Sequence, residues 1–516
     1  MKIVLISMPD VVPVIIHETA VHMPNHGIAC IGGNIDEGHE VYLIDLIRKR
    51  NSIVSYLTKT LNRIKPDLIG LSAMTWQYKT SLALTTFIKS ILPNVKVAIG
   101  GYHTTLMSRE TADSPEAQLV DFIIRGEGEE TFRRLVNALT GTDRLEAIPS
   151  LSYKFEGQWI HNEQGPLCDL SKLKLPIRDR RRLTSGYHFM YFRMEVMETS
   201  RGCTRNCSFC SINHMYGRSF RTYPIERIIA DLDDIYYNKK TRMIFICDDN
   251  MVLNPKWVTE VCDAIIRRGY RNLKLTVQAD CISMARNEAM VAKMAKAGFS
   301  SVFLGIENAS RNNLQVMNKV EISSEVKRAV DNCHRHGIMV VGGLIFGLPA
   351  DDEVTIKRNY SLLKELEIDA YYCQMLSPFP KTIIREQLIT EGLVTNYEHY
   401  ERYNGLWANT KTKYLGTEQL QYAFWYFRQT VLGWWHPSPL VKNQGRIWTA
   451  IWIYLLKPIM KFFMDREVRK HGWEKIYHKE LLRLVHMNSF ADLGKFTRQK
   501  ENIILSGQGT SKGPSA

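Results

Sequence analysis

Cys203, Cys207 and Cys210 fall in the run Arg-Gly-Cys-Thr-Arg-Asn-Cys-Ser-Phe-Cys, three thiols within eight residues. Thiolates spaced in this way can hold three corners of a cubane [4Fe–4S] cluster and leave the fourth iron without a protein ligand. An iron with an open position is a place for a small molecule to bind, which suits catalysis better than electron transport alone. Two other readings use the same residues. A zinc knuckle needs a fourth Cys or His nearby, and His214 stands four residues on. Three unrelated buried thiols need no metal at all.

A cluster loop has to be presented by a scaffold, and the surrounding chain supplies one. Apolar runs at 193–200, 242–247, 274–279, 301–305, 340–346 and 370–376 alternate with helical stretches. Six such units predict a partial (β/α)6 barrel, similar to part of a TIM barrel. Polar or Gly signals follow these runs: the cysteine loop, Asp248-Asp249-Asn250, Asp280, Ile306-Glu307, Gly347-Leu348-Pro349 and Ser377-Pro378. The C-terminal strand ends are where barrel active sites are built. Taken singly, each residue reads as a capping Asp or a turn Gly; their order along the strands gives them chemical meaning.

Upstream, apolar runs at 3–8, 40–46, 67–72, 95–101 and 121–125 alternate with helical periodicity at 52–64 and 79–92. This predicts a doubly wound, Rossmann-like parallel sheet, whose ligands bind beyond the carboxyl ends of its strands. Ser72-Ala73-Met74-Thr75, Gly100-Gly101-Tyr102-His103 and Arg125-Gly126-Glu127-Gly128-Glu129-Glu130 occupy those ends. No Gly-x-Gly-x-x-Gly follows the first strand, which disfavours a nicotinamide site. A receiver-like sheet without a ligand is the plain alternative.

The Cys-x3-Cys-x2-Cys spacing, with Phe209 before the third Cys, resembles the radical S-adenosylmethionine (SAM) superfamily. The resemblance covers roughly residues 1–380 and extends to the class with an N-terminal cobalamin-binding domain. It implies a [4Fe–4S] cluster on Cys203, Cys207 and Cys210, and SAM at the open iron. Backbone around Phe209 would face the adenine, and Asp248, Asp249 and Asn250 resemble the turn that contacts the SAM amino group. Gln278 and Asp280 can hydrogen-bond ribose hydroxyls, Glu307 matches a Gly-x-Glu station, and Gly342, Gly343 and Gly347 would form a wall without side chains. By position Ser72, Thr75, Gly100 and Gly101 would flank the nucleotide tail of cobalamin, expected as methylcobalamin. The Asp-x-His-x-x-Gly motif that supplies a histidine to cobalt is absent; His17, His22 and His26 lie in the first loop. The implied reaction is methyl transfer to an unactivated carbon through a 5′-deoxyadenosyl radical. Oxidative cyclisation without net methylation, as in anaerobic porphyrin cyclases, is the competing outcome.

The expected division is a cobalamin-binding domain at 1–145, a linker at 146–190, the partial barrel at 191–380, a helical aromatic-rich region at 381–506 and a disordered tail at 507–516. The chain carries a formal charge of +14, and residues 381–516 hold 20 Lys and Arg against 11 Asp and Glu. That surplus suits an anionic partner, nucleic acid or lipid, or simply a solvated surface. Methylthiotransferases that modify tRNA share the cysteine spacing but resemble a chain with three more N-terminal cluster cysteines; only Cys30 lies in the first 150 residues. An RNA-binding reading has no recognition motif. The apolar stretch 447–456 is too short to cross a bilayer, which needs about 20 residues. It suits a membrane interface, a greasy channel or a buried cap. The remaining expectations are a cytoplasmic enzyme, peripheral to a membrane at most, taking a small hydrophobic substrate and electrons from flavodoxin or ferredoxin. Tyr371, Tyr372 and Cys373 on the last barrel strand are candidates for a proton-handling role.

Overall fold

The computed structural model of the chain describes residues 1–10, 21–189, 192–432 and 457–487. The first eight strands are β1 (Lys2–Ser7), β2 (Val21–His22), β3 (Glu40–Asp45), β4 (Leu68–Ser72), β5 (Lys96–Gly100), β6 (Phe122–Ile124), β7 (Leu151–Phe155) and β8 (Gln158–His161). All but β2 form one sheet in the order β3-β1-β4-β5-β6-β7-β8. It is parallel through β6 and antiparallel beyond. The parallel strands are apolar almost throughout because helices cover both faces. On β1, Val4 and Ile6 join the core under helices Ile53–Ile64 and Tyr78–Ile91, while Ile3 and Leu5 join the core under helices His26–Asn34 and Gly128–Leu139. The chain leaves β1 to one side for β3 and returns on the other for β4, so the crevice opens between the ends of β1 and β4. The stretch 151–161, expected within a linker, is a hairpin that extends this sheet.

The remaining strands are β9 (His188–Phe189), β10 (Phe192–Met197), β11 (Ser200–Arg201), β12 (Arg221–Thr222), β13 (Met243–Ile246), β14 (Lys274–Ala279), β15 (Phe299–Glu307), β16 (Met339–Phe346) and β17 (Ala370–Met375). The second sheet runs β17-β16-β15-β14-β13-β10-β9-β2, with β10 to β17 parallel, as a partial barrel requires. Its far edge is antiparallel, and the outermost strand, β2, is borrowed from the first loop of the chain. The helices between strands carry ordinary punctuation. Helix Pro255–Arg268 starts where the Asn254 side chain accepts a hydrogen bond from the Trp257 N–H, with Pro255 in the first turn. It ends at Gly269 in the left-handed region, after Arg267 and Arg268.

The last third is helical where described, with helices Ile383–Thr390, Thr417–Phe427 and Lys457–Met487. Its aromatic residues pack the helices together. Trp425 and Tyr426 meet Trp473 with ring centroids 5.8 and 5.7 Å apart, and Tyr422 meets Tyr477 at 5.3 Å. Phe424 seats on Phe346 of β16 at 5.1 Å, so this region caps the outer face of the barrel. The stretch 447–456 and the tail 507–516 lie outside the described residues. Among those described, no helix is long and apolar enough to cross a membrane.

Candidate active site

The cysteine loop leaves β11 at the carboxyl ends of the barrel strands and has little regular structure of its own. Three hydrogen bonds pin its middle: Ser208 N–H to the Met317 carbonyl (3.2 Å), Ser208 Oγ to the Val316 carbonyl (2.6 Å), and Ile384 N–H to the Ser208 carbonyl (3.1 Å). Burial raises the pKa of all three thiols, that of Cys210 to about 12. The metal-free protein therefore holds them protonated, and loading a metal must release protons. Among the described residues, the three sulfurs do not all lie within 4.8 Å of one another. A single tetrahedral zinc with Zn–S bonds of about 2.3 Å would need them about 3.8 Å apart. Three soft donors at a wider spacing fit a multi-iron cluster better than one ion, and nothing brings His214 in as a fourth ligand in this set.

The polar stations divide into side chains that face the loop and side chains that build it. Asp248 was expected to contact the SAM amino group, but it is 1% exposed. Its carboxylate accepts from Thr199 N–H (2.7 Å), Thr199 Oγ1 (2.5 Å) and Ser200 Oγ (2.6 Å). It therefore fixes the end of β10, and burial raises its pKa to about 7. Asp249 accepts from Gly202 N–H (2.9 Å), and burial raises it to about 6. Asn250 donates to Cys203 Sγ at 3.8 Å and to Asp280 Oδ2 at 3.1 Å. Asp280, expected at the ribose, has both oxygens engaged. Oδ1 caps helix Cys281–Arg286 and takes Arg205 at 2.8 Å, and Oδ2 takes Asn250. It tethers the cysteine loop. Gln278 donates to the Asp248 carbonyl (3.1 Å).

Glu307 and an unforeseen residue, Lys319, form the charged centre of the site. Lys319 Nζ lies 2.5 Å from Glu307 Oε1 and 5.6 Å from the Phe209 ring centroid. The register of β15 against β16 shifts between Gly305 and Glu307, which re-aims the carboxylate. A Cβ on Gly305 would come within 2.3 Å of Glu307 Oε1, so this glycine makes room for the ion pair. The three glycines expected as a wall, Gly342, Gly343 and Gly347, each stand close to side chains of this protein. A Cβ on Gly343 would strike the Phe303 ring, and one on Gly342 would point outward against Ile306, Leu363 and Ile368. The same alternation sorts β17. Tyr372, paired with Gly343, faces Phe303 across 6.0 Å. Tyr371 and Cys373 pack into the outer core instead, which removes them as candidates for proton transfer.

The cobalamin stations sit at the facing strand ends of the first sheet. Ser72 is half-buried and Thr75 is 2% exposed. Gly101 has φ +110°, and a Cβ there would lie 2.4 Å from the Ala73 carbonyl oxygen. Its need is the close approach of two backbones, sealed by Ala73 N–H to the Gly100 carbonyl (2.9 Å); at Gly100 a Cβ would make only ordinary contacts. Of the loop histidines, His17 lies outside the described residues, His22 pairs with Arg48, and His26 touches Cys30.

These strand ends meet the cysteine loop directly. Helix Tyr102–Leu106 packs on helix Ile212–Tyr216. Tyr102 is raised well above the usual phenol range by burial, with Tyr216, Asp249 and Cys210 as neighbours. Beside it, Arg201 reaches Glu127 (2.9 Å), Glu129 (2.5 Å) and Glu198 (2.9 Å), and Arg221 also holds Glu127 (2.8 Å). None of these pairs is legible from the sequence, although its pattern sets Glu127 and Glu129 at the end of a strand.

Comparison with known proteins agrees with this arrangement. Residues 12–136 match the B12 binding domain and residues 197–363 match the Radical SAM superfamily. An uncharacterized methyltransferase of Pyrococcus horikoshii is 28% identical, over 84% of this chain and 94% of that protein. The anaerobic magnesium-protoporphyrin IX monomethyl ester cyclase of Cereibacter sphaeroides is 24% identical over 67% of this chain, and the hopanoid C-3 methylase of Methylococcus capsulatus 30% over 60%. The chain spans a little over half the length of these two, 56% and 58%. Among solved structures, the cobalamin-dependent SAM radical enzyme OxsB superposes with a TM-score of 0.68 at 16% identity, covering 99% of this chain and 82% of that one. The chain belongs to the radical SAM superfamily, in the branch that carries a B12-binding domain ahead of its radical SAM domain.

Proposed function

We propose that this enzyme transfers a methyl group to an unactivated carbon of a small, hydrophobic substrate, using a [4Fe–4S] cluster, SAM and cobalamin. The observation that carries the reading is the seam: helix Tyr102–Leu106, at a strand end of the B12-binding half, packs on helix Ile212–Tyr216, which directly follows the cysteine loop. Cofactors held by the two halves would then face one enclosed space. When bound, the cluster supplies an electron to SAM for hydrogen-atom abstraction, and cobalamin supplies the methyl group.

The chain's own residues bind, orient and exclude water. Cys203, Cys207 and Cys210 would hold three corners of the cluster, with the Asn250 amide donating to Cys203 Sγ. Lys319, paired with Glu307 beside the loop, suits a carboxylate such as that of SAM. Phe209 shields this pair. Phe303 and Tyr372 offer an apolar wall to a substrate, which supports a hydrophobic one, as does the similarity to a hopanoid methylase. Ser72, Thr75, Gly100 and Gly101 would flank the nucleotide tail. The electron donor is an acidic one-electron carrier, flavodoxin or ferredoxin, complementary to the formal charge of +14. Exposed Phe462 and Phe463 support a peripheral contact with a membrane.

Similarity to magnesium-protoporphyrin cyclases supports a second reading, oxidative ring closure without net methylation. Anaerobic purification with cobalamin, quantification of iron, sulfide and corrinoid, and mass analysis of products from hydrophobic polycyclic substrates test both. A gain of one methylene unit supports methyl transfer, and ring closure at unchanged carbon count supports the cyclase reading. Intact cluster absorbance and undiminished 5′-deoxyadenosine release after Ser replaces Cys203, Cys207 and Cys210 would overturn both.

A further inference from the structure

We propose that His26, Cys30 and Glu198 bind one divalent transition-metal ion of the zinc class at the seam between the two sheets, separate from the cysteine loop. Among the described residues this is the only group of three or more His, Cys, Asp or Glu whose ligand atoms all lie within 4.8 Å of one another. His26 and Cys30 stand four apart on helix His26–Asn34 and so share one face of it. His26 Nε2 is 3.1 Å from Cys30 Sγ. The third ligand comes from the other half of the molecule, just beyond β10. Glu198 Oε2 accepts from Arg201 (2.9 Å) and from the Tyr223 hydroxyl (2.8 Å), while Oε1 takes no hydrogen bond among the described residues.

A second observation points to a missing partner. His26 Nδ1 is out of solvent and has no hydrogen-bond partner among the described residues, while Nε2 faces the Cys30 sulfur, so these residues leave the imidazole incompletely satisfied. One imidazole nitrogen, one thiolate and one carboxylate are a common donor set for zinc, at bond lengths of about 2.0–2.3 Å, and water would fill the fourth position. The charges balance: the Cys30 thiol releases its proton on binding, and thiolate plus carboxylate neutralise the dication. Of the nearby arginines, Arg178 is matched by Asp231, Arg181 by Glu195 and Arg201 by Glu127 and Glu129, while Arg227 donates to the Leu173 and Lys174 carbonyls. Such an ion would tie the start of a helix in the B12-binding half to the strand that leads into the cysteine loop. It would act as a clamp rather than as a reaction centre.

The test is elemental analysis of full-length enzyme purified anaerobically from zinc-supplemented cells, with Cys30→Ser and His26→Ala alongside. The expected result is about one zinc per wild-type chain, lost in both variants while iron, sulfide and corrinoid contents are unchanged. The loop variant Cys203→Ala/Cys207→Ala/Cys210→Ala should keep its zinc, because its thiols are not the ligands. Cobalt(II) added to that loop variant should give a thiolate-to-cobalt charge-transfer band. That band decides the matter if Cys30→Ser does not accumulate. Zinc at background level in wild type, zinc retained by Cys30→Ser and His26→Ala, loss of zinc in the loop variant, or absence of the cobalt band would each overturn the proposal.

Discussion

Replacing Arg201 with Met tests whether the buried charges at the seam hold the two halves in register. The Arg201 side chain is 6% exposed and those of Glu127 and Glu129 are 3% and 5%. Without the guanidinium, Glu127 keeps Arg221 and the Cys168 N–H, and Glu198 keeps the Tyr223 hydroxyl. Glu129 has no other ion pair among the described residues, so the penalty concentrates there. Removing one partner of a buried pair costs about 3–5 kcal/mol, mostly from the charge left behind. The β11–β12 ladder adjoins this site, with Arg201 itself paired to Arg221. Amide exchange in that ladder should therefore accelerate by about two to nearly four decades, since each 1.36 kcal/mol is tenfold. The double variant Arg201→Met/Glu129→Gln should recover much of the loss, because the orphaned charge is gone. Hydrogen exchange on anaerobically prepared protein reads all three chains. If Arg201→Met exchanges like wild type, or the double variant is no better than the single one, the account of the seam is wrong.

Two further outcomes follow from the site and from the first sheet. Lys319→Met should weaken SAM binding about 10- to 100-fold, from loss of a charge-assisted bond of about 1.5–3 kcal/mol. Equilibrium dialysis would show this with iron content unchanged, and equal affinity would refute the assignment. His103, 2% exposed and stacked on Tyr78 at 4.0 Å, is lowered by burial to about 3. Its ordinary value is about 6.5, so below that pH the unfolded chain binds more protons and stability falls as pH drops toward 3. At pH 5 this term is about 2 kcal/mol. His103→Phe keeps an aromatic stack, and urea titrations at pH 7.5 and 5 should show it losing about that much less than wild type. Equal losses would refute the linkage.

Much of the fold was legible because buried parallel strands announce themselves. The runs that became β1, β4, β13 and β16 are apolar nearly throughout; β1 and β4 stop at Ser7 and Ser72, β13 just before Cys247-Asp248 and β16 just before Gly347. The hairpin β7–β8 was missed because β8 is an edge strand whose residues alternate between half-buried and exposed, too short to stand out from a loop. In the site, residue types at strand ends were readable, but the direction of their side chains was not. Asp248 and Asp280 had the right chemistry and turned out to be occupied by their own neighbours. Lys319 carries no local signal, since its partner is reached only after a helix and a bulge. Arg201 and Glu129 are 72 residues apart, and one sequence does not reveal such a pair. Tyr371 and Tyr372 differ only in the face they take, which the outward packing of Gly342 decides.

The ribbon Val21–His22 belongs by sequence to the front of the chain and by pairing to the back. A fragment beginning near residue 191 would lose both β9 and this ribbon, leaving the β10 edge bare and open to pairing with other chains. A fragment ending there would keep β2 on β9 but leave the other edge of β9, which lies on β10 in the whole chain, without its neighbour. The two modules are therefore stitched rather than merely joined, and neither can be exchanged as a cassette unless the incoming piece brings its own thread.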